Sequence, residues 1–295
     1  MGWLSRNPRY GKVAAADSTD ELSQATPPPR ARTTLLSHLN SLFLIANFMF
    51  LSSLVWTARH ISSPNYLLKK TNTYTPLLDR FDISFVKTKN NASLFNTPYS
   101  IYKDDPSPSV DAAWEEIADT PVLAISREDV VTMGKDPDYV VGIPEEFGHG
   151  PGKYFAVNDG QHLIHCLNEL RKYAFYDYYY APKYGPETNL PKMVAAHRTH
   201  CVGVLLDALT CQPSLNMVVW EYVQGQSKPW PDFDAWRMCY GHEKFYEWQK
   251  GEQVDLERTK TWDWTKARIK ERPEVEEMRA ERRKGGESQH EGHWA

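Results

Sequence analysis

The sequence predicts an α+β fold: a mainly helical domain in which two helices face each other, behind one N-terminal transmembrane helix. Three observations carry that expectation. The pentapeptide HxxHC occurs twice, as His162-Leu-Ile-His165-Cys166 and His197-Arg-Thr-His200-Cys201, each inside a run of helical periodicity. Short apolar runs of strand character, VLAIS from Val122 and LNMVVWEYV from Leu215, stand between the helical ones. Residues 35–58 are 24 in number and carry no acidic or basic side chain other than His38.

Length and charge set the outer bounds. The chain has 295 residues, a net charge of −4 and four cysteines, enough for one large domain with appendages and without the basic excess that nucleic acid requires. Ten tryptophans and sixteen tyrosines, most of them in the second half, are expected to fill a core or line an aromatic pocket there.

The N-terminal 1–34, ending in TPPPRARTT, reads as a disordered cytosolic tail. Leu35–Ala58 then suffices to cross a hydrocarbon core of about 30 Å as a helix, with Trp56 at an interface. Asn91-Ala92-Ser93 is a glycosylation sequon, and all four cysteines follow the helix, so the C-terminal part is expected on the lumenal side of an endomembrane signal anchor. Residues 59–106, rich in Ser, Thr, Asn and Pro, are expected as a stalk that either wraps the domain or only spaces it.

The domain proper is expected over 107–265. Ser107 to Ile117 reads as a helix anchored by Trp114 and Ile117; Val122 onward reads as a strand entering a helix capped by Ser126. The segment GIPEEFGHGPGKY reads as a loop, whose His149 is a further ligand candidate. The first HxxHC helix follows, with Leu163, Leu167, Leu170 and Ala174 as its core stripe beside the His/Cys arc. The run YAFYDYYYAPKY then offers Tyr173, Tyr176 and Tyr180 as a substrate surface or a redox-active phenol. The second motif helix is expected to start from an Asn189 cap, with Val202, Leu205 and Leu209 flanking its arc. Beyond the LNMVVWEYV strand and an ordered KPWPDFDAW loop, Arg237–Trp248 reads as one more helix, and 266–295 as a charged helix fading into a disordered tail. Cys211 and Cys239 form one disulfide candidate, Cys166 and Cys201 another.

On a helix advancing about 100° per residue, the two imidazoles and the sulfur of each motif share one arc about 100° wide. Two such arcs on facing helices offer up to six metal ligands: His162, His165, Cys166, His197, His200 and Cys201. Glu169, one turn past His165, would fix an imidazole tautomer. Zinc accepts this donor set, while copper binds imidazole more tightly and suits thiolate as Cu(I). Neither motif holds the glutamate of HExxH, which argues against metal-assisted hydrolysis.

Paired HxxHC motifs behind a membrane anchor, the VDAAWEEI helix before them and the Cys239…Trp248 segment after them resemble the fungal UstYa-like family, named for ustiloxin biosynthesis. The resemblance spans about Ser107 to Lys250, with HLIHCLNELRK its most specific part. It implies an oxidase of fungal secondary metabolism that cyclises, hydroxylates or halogenates a peptide or other natural-product precursor, with copper as cofactor and dioxygen as co-substrate. It also implies His162, His165, His197 and His200 as ligands and catalytic centre. The chain departs from the family after the second motif, where Gly203–Asp207 replaces a DxLRQ-like stretch and Ser214 an acidic residue. Such departures would shift the substrate or weaken the activity. Expected partners are the substrate, the membrane and a second copy or a paralogue. The alternative of another class is a non-catalytic, membrane-anchored structural-zinc module that binds a partner enzyme or peptide.

Overall fold

The computed structural model describes residues 30–62 and 65–261, together with 273, 275 and 276. Most of the expected 1–34 tail, and the charged 266–295 tail with His290 and His293, lie outside the described residues apart from those positions.

Contacts divide the chain into two units. The first holds α1 (Arg30–Ile61), longer at both ends than the apolar run alone indicated. Its Thr34–Ile61 stretch of 28 residues has a mean hydropathy of 1.7, long and apolar enough to cross a membrane. Its polar members are handled within the helix: Asn47 donates to the carbonyl of Phe43 at 2.8 Å, and the His60 ring stacks on Trp56 at 5.2 Å.

The second unit begins in the segment expected as a stalk, and it is folded there. The segment forms α2 (Tyr66–Thr71), α3 (Leu77–Arg80) and β1 (Phe85–Lys89). Buried Asn65 ties these together, donating to the carbonyls of Leu78 (2.8 Å) and Phe81 (2.6 Å) and accepting from the amide of Ile83 (3.0 Å). A buried amide with several partners fixes three parts of the segment to one another, and Arg80, donating to the Ala124 carbonyl at 3.1 Å and to Glu252 at 2.6 Å, ties the segment to the rest of the domain.

Next come α4 (Pro108–Ala118), the helix expected there and capped by Ser107, then β2 (Val122–Ser126) and α5 (Arg127–Thr132). Ser126 and Asp129 form a reciprocal capping box at the strand-to-helix junction. Leu123 and Ile125 of β2 point inward with period two and join Val110, Ala118, Val130, Ile143, Tyr246 and Val254 in the core. The expected Gly/Pro loop ends in a strand that the pattern did not reveal, β3 (Lys153–Val157), antiparallel to β2 from Val122↔Val157 to Ser126↔Lys153.

Then follow α6 (Asp159–Ala174), the short α7 (Tyr176–Tyr179) and α8 (Ala181–Tyr184), and α9 (Lys192–Cys211). Asn189 does not cap α9. It ends a separate 3-10 turn, and the extended Leu190 and Pro191 place Pro191, which has no side-chain acceptor, at the cap. The hairpin β4 (Val219–Glu221) and β5 (Trp230–Asp232) precedes β6 (Trp236–Tyr240) and α10 (His242–Glu252). The helix expected over Arg237–Trp248 is therefore half strand: β6 pairs with β1 from Phe85↔Tyr240 to Lys89↔Trp236, and Gly241 makes the break. The aromatic second half fills less core than expected, since Trp220, Tyr222 and Trp236 are exposed.

Candidate metal centre

The two motif helices pack against each other, and α4 braces the first. Gln161, only 1% exposed, donates to the carbonyl of Ile117 at 2.6 Å. Arg171 donates to Asn168 (2.9 Å), to the Tyr179 hydroxyl (2.6 Å) and to Asp111 (3.1 Å), and lies over the Trp114 ring at 5.2 Å. The Tyr179 hydroxyl also donates to Asp111. On the α9 side, the Tyr173 hydroxyl donates to the carbonyl of Val194 at 2.5 Å.

These ties set the rotation of α6, and the outcome reverses one expectation. Its buried residues are Gln161, His165, Cys166 and Asn168, whereas Leu167 and Ala174 of the expected core stripe are exposed. In α9 only Cys201 is buried, and Val202 and Leu209 are exposed, Leu209 by 70%. The His/Cys arcs themselves form the helix seam. Partners, not apolarity alone, decided the buried face.

Across the seam His162 faces His200 with ring centroids 5.5 Å apart, and His165 faces His197 at 5.7 Å. As numbers rise on one helix they fall on the other, so the helices run antiparallel. Along each helix the His162–His165 and His197–His200 rings are 6.2 Å apart and nearly parallel, at 16° and 17°. All four predicted histidines thus stand at the corners of one quadrilateral. Cys166 and Cys201 are both fully buried, and Cys166 Sγ lies 3.7 Å from His162 Nε2. The ligand atoms of His162, Cys166 and His200 lie within 4.8 Å of one another.

Electrostatics suit a cation. Burial, and secondarily the neighbouring imidazoles, hold His165 and His197 below the ordinary histidine range, against the opposing pull of Glu169, so both are neutral donors near pH 7. Burial raises both thiols, Cys201 strongly, so they stay protonated unless a metal displaces the proton. Burial would also raise Glu169, but the hydrogen bond and the charge of the Lys172 ammonium at 2.9 Å lead the effects that outweigh it and hold the carboxyl below its ordinary range. Buried His165, 9% exposed, has no hydrogen-bond partner for Nε2 among the described residues. An orphaned imidazole nitrogen beside three other imidazoles and two sulfurs fits a borderline metal such as copper or zinc. His200 is exposed, so the cluster opens to solvent on that side.

The other predicted residues fall elsewhere. Tyr173, Tyr176 and Tyr180 have their hydroxyls bound within the chain, to Val194, Gly185 and Glu169. Tyr176 lines a pocket of about 380 Å³ with Asp105, Pro106, Phe175 and Tyr178. His149 lines a different one with Arg80, Ser126, Asp129 and Lys153, apart from the motif histidines. Cys211 is exposed at the end of α9 and Cys239 half-buried in β6; both are free thiols, as are Cys166 and Cys201. Asn91 is exposed, its Nδ2 donating to the carbonyl of Pro98 at 3.1 Å. The Asp111–Arg171–Tyr179 brace escaped sequence reasoning because its members lie up to 68 residues apart with no periodic signal.

The family described as mycotoxin biosynthesis protein UstYa matches residues 23–252. The UstYa family oxidase aprY of Aspergillus flavus is 37% identical over 194 residues, covering 64% of this chain and 58% of that protein. The UstYa family oxidase phomYc of Diaporthe leptostromiformis is 22% identical over 186 residues, covering 61% of this chain and 69% of that protein. The match thus spans less than two thirds of the aprY relative. No solved structure matches.

Proposed function

Given that this chain belongs to the UstYa family, we propose that it is an oxidoreductase of fungal secondary metabolism whose four motif histidines hold a redox metal, copper before zinc. The observation that supports this most is the quadrilateral of His162, His165, His197 and His200, with neutral rings at its buried edge. A bound copper ion would supply one-electron oxidation and reaction with dioxygen.

The chain's own residues do the rest. His165 and His197 present lone pairs from the closed side, and the ionised Glu169 balances positive charge beside them. Cys166 and Cys201 seal the seam between the helices against water. His200 marks the open side, from which a substrate would approach. The Tyr176–Tyr178 pocket would take a side chain of a peptide or similar precursor at the outer end of α6. Helix α1 would anchor the protein in an endomembrane with the domain in the lumen, where Asn91 would carry a glycan.

A second reading, a structural zinc module without catalysis, draws support from the buried Cys166 sulfur grouped with His162 and His200, and from the equally buried Cys201 of the second motif. Metal analysis of the purified protein separates the two. Bound copper with oxygen-dependent conversion of a precursor, lost in His165→Ala and His200→Ala, upholds the oxidase. Stoichiometric zinc released only on unfolding, or turnover retained in both variants, rejects it.

A further inference from the structure

The geometry points to Tyr180 as a redox-active tyrosine that gives up one electron while its phenolic proton passes to Glu169. Its purpose rests on the oxidase reading; its chemistry rests on contacts independent of that reading.

The Tyr180 hydroxyl donates to Glu169 Oε2 at 3.3 Å, and the other carboxylate oxygen of Glu169 accepts from Lys172 at 2.9 Å. A phenol that loses an electron becomes a strong acid, so a base already in hydrogen-bond reach lets proton and electron leave together. The neighbours lack such a base: Tyr173 and Tyr176 donate to the backbone carbonyls of Val194 and Gly185, which accept a hydrogen bond but not a proton.

Tyr180 is also the common member of a stack of four rings. Tyr173 lies 4.5 Å away at 21°, Tyr176 5.7 Å at 26° and Tyr184 6.4 Å at 22°. Cations sit over two of those neighbours, Arg198 over Tyr173 at 5.3 Å and Lys183 over Tyr184 at 5.1 Å. A positive charge over a ring face makes removal of an electron from that ring harder. The electron hole is thereby kept off Tyr173 and Tyr184 and held at the ring beside the carboxylate. Tyr179, which also meets a carboxylate in Asp111, has the Arg171 guanidinium over its face at 5.0 Å and is disfavoured in the same way.

The step balances as Tyr180–OH plus the Glu169 carboxylate giving the Tyr180 phenoxyl radical, the Glu169 carboxylic acid and one electron. The electron goes to a one-electron oxidant: in the working protein an oxidised transition-metal ion at the imidazole cluster, in the test a photogenerated ruthenium(III) polypyridyl. Re-reduction returns the electron and Glu169 returns the proton. Tyr180 would thus lend an electron to the cluster, or drain an oxidising equivalent that finds no substrate.

The test uses the full-length protein in detergent, treated with a chelator and irradiated with ruthenium(II) tris-bipyridine and persulfate. Freeze-quenched electron paramagnetic resonance should show a neutral tyrosyl radical. The protein carries Tyr74→Phe and Tyr99→Phe throughout, because those two exposed phenols also donate to carboxylates, Asp129 at 2.6 Å and Asp104 at 2.8 Å; in that background Tyr180→Phe, which keeps the ring stack, should remove the signal, and Tyr178→Phe at the surface should leave it. Glu169→Gln, in protein that melts like the wild type, should slow its formation about 100-fold, the low end of what a positioned base contributes. An unchanged signal in Tyr180→Phe, or an unchanged rate in Glu169→Gln, overturns the assignment. Because no metal or substrate takes part, failure here leaves the oxidase reading standing, and failure of turnover leaves this assignment standing.

Discussion

His165 and His197 face each other across the α6–α9 seam, ring centroids 5.7 Å apart and planes 35° from parallel. Each belongs to a different copy of HxxHC, so the repeat in the sequence becomes an antiparallel pairing in space. The seam works only if α6 holds its rotation, and two of the testable consequences concern what holds it.

Arg171 is the first such element. Its side chain is 9% exposed and serves Asn168, Tyr179 and Asp111 together. Arg171→Ala leaves a carboxylate and a phenol without their cation and should cost about 3 kcal/mol, measured by urea denaturation. Arg171→Lys should not restore it, since an ammonium lacks the planar fork. A loss below about 1 kcal/mol would mean the brace is ornamental.

Gln161 is the second. Gln161→Leu preserves volume but strips the half-buried Ile117 carbonyl of its donor, and should cost about 2 kcal/mol. If the α6–α4 tie positions the imidazoles, metal affinity should fall in the same variant. Unchanged affinity would show that the seam aligns itself.

Asp129 carries a pH dependence. Burial raises its pKa, but hydrogen bonds from Tyr74 at 2.6 Å and from Ser126 outweigh this, so the folded value lies below the ordinary one. The stability it contributes is therefore present above about pH 3.9 and lost as pH falls through the lowered folded value. Asp129→Asn should be less stable than wild type at pH 7, and the gap should close toward pH 2. A gap that persists in acid would assign the loss to geometry, not to charge.

The cysteines should separate by exposure. Under reducing conditions, iodoacetamide at pH 8 should label exposed Cys211 first and half-buried Cys239 more slowly, read by mass spectrometry. Cys166 and Cys201, fully buried with raised thiols, should react only in denaturant. Rapid labelling of either in the native protein would contradict a sealed seam.

Much of this was legible in the residues. The run Ser107–Ile117 announced α4, Ser126 announced the start of α5, VLAIS announced β2, and the HxxHC spacing announced that four imidazoles would fall on two helix faces. Each of these signals lies within one or two turns of chain. The strand β3, the split of Arg237–Trp248 into β6 and α10, and the misplaced Asn189 cap were hidden because each depends on a neighbour elsewhere. β6 is a strand because β1, about 150 residues earlier, supplies its hydrogen bonds.

By itself the sequence determined which residues would travel together on a helix, because helical periodicity is a property of the backbone and needs no partner. Only the tertiary structure decided that the His/Cys arcs would turn inward while Leu167 and Leu209 stayed exposed. Burial is a relation between surfaces. Here a glutamine found its partner on α4, an arginine found Asp111 on α4 and Tyr179 on α7, and an asparagine found that arginine on its own helix, and a buried polar group with its partner in place can take a position that periodicity had reserved for leucine.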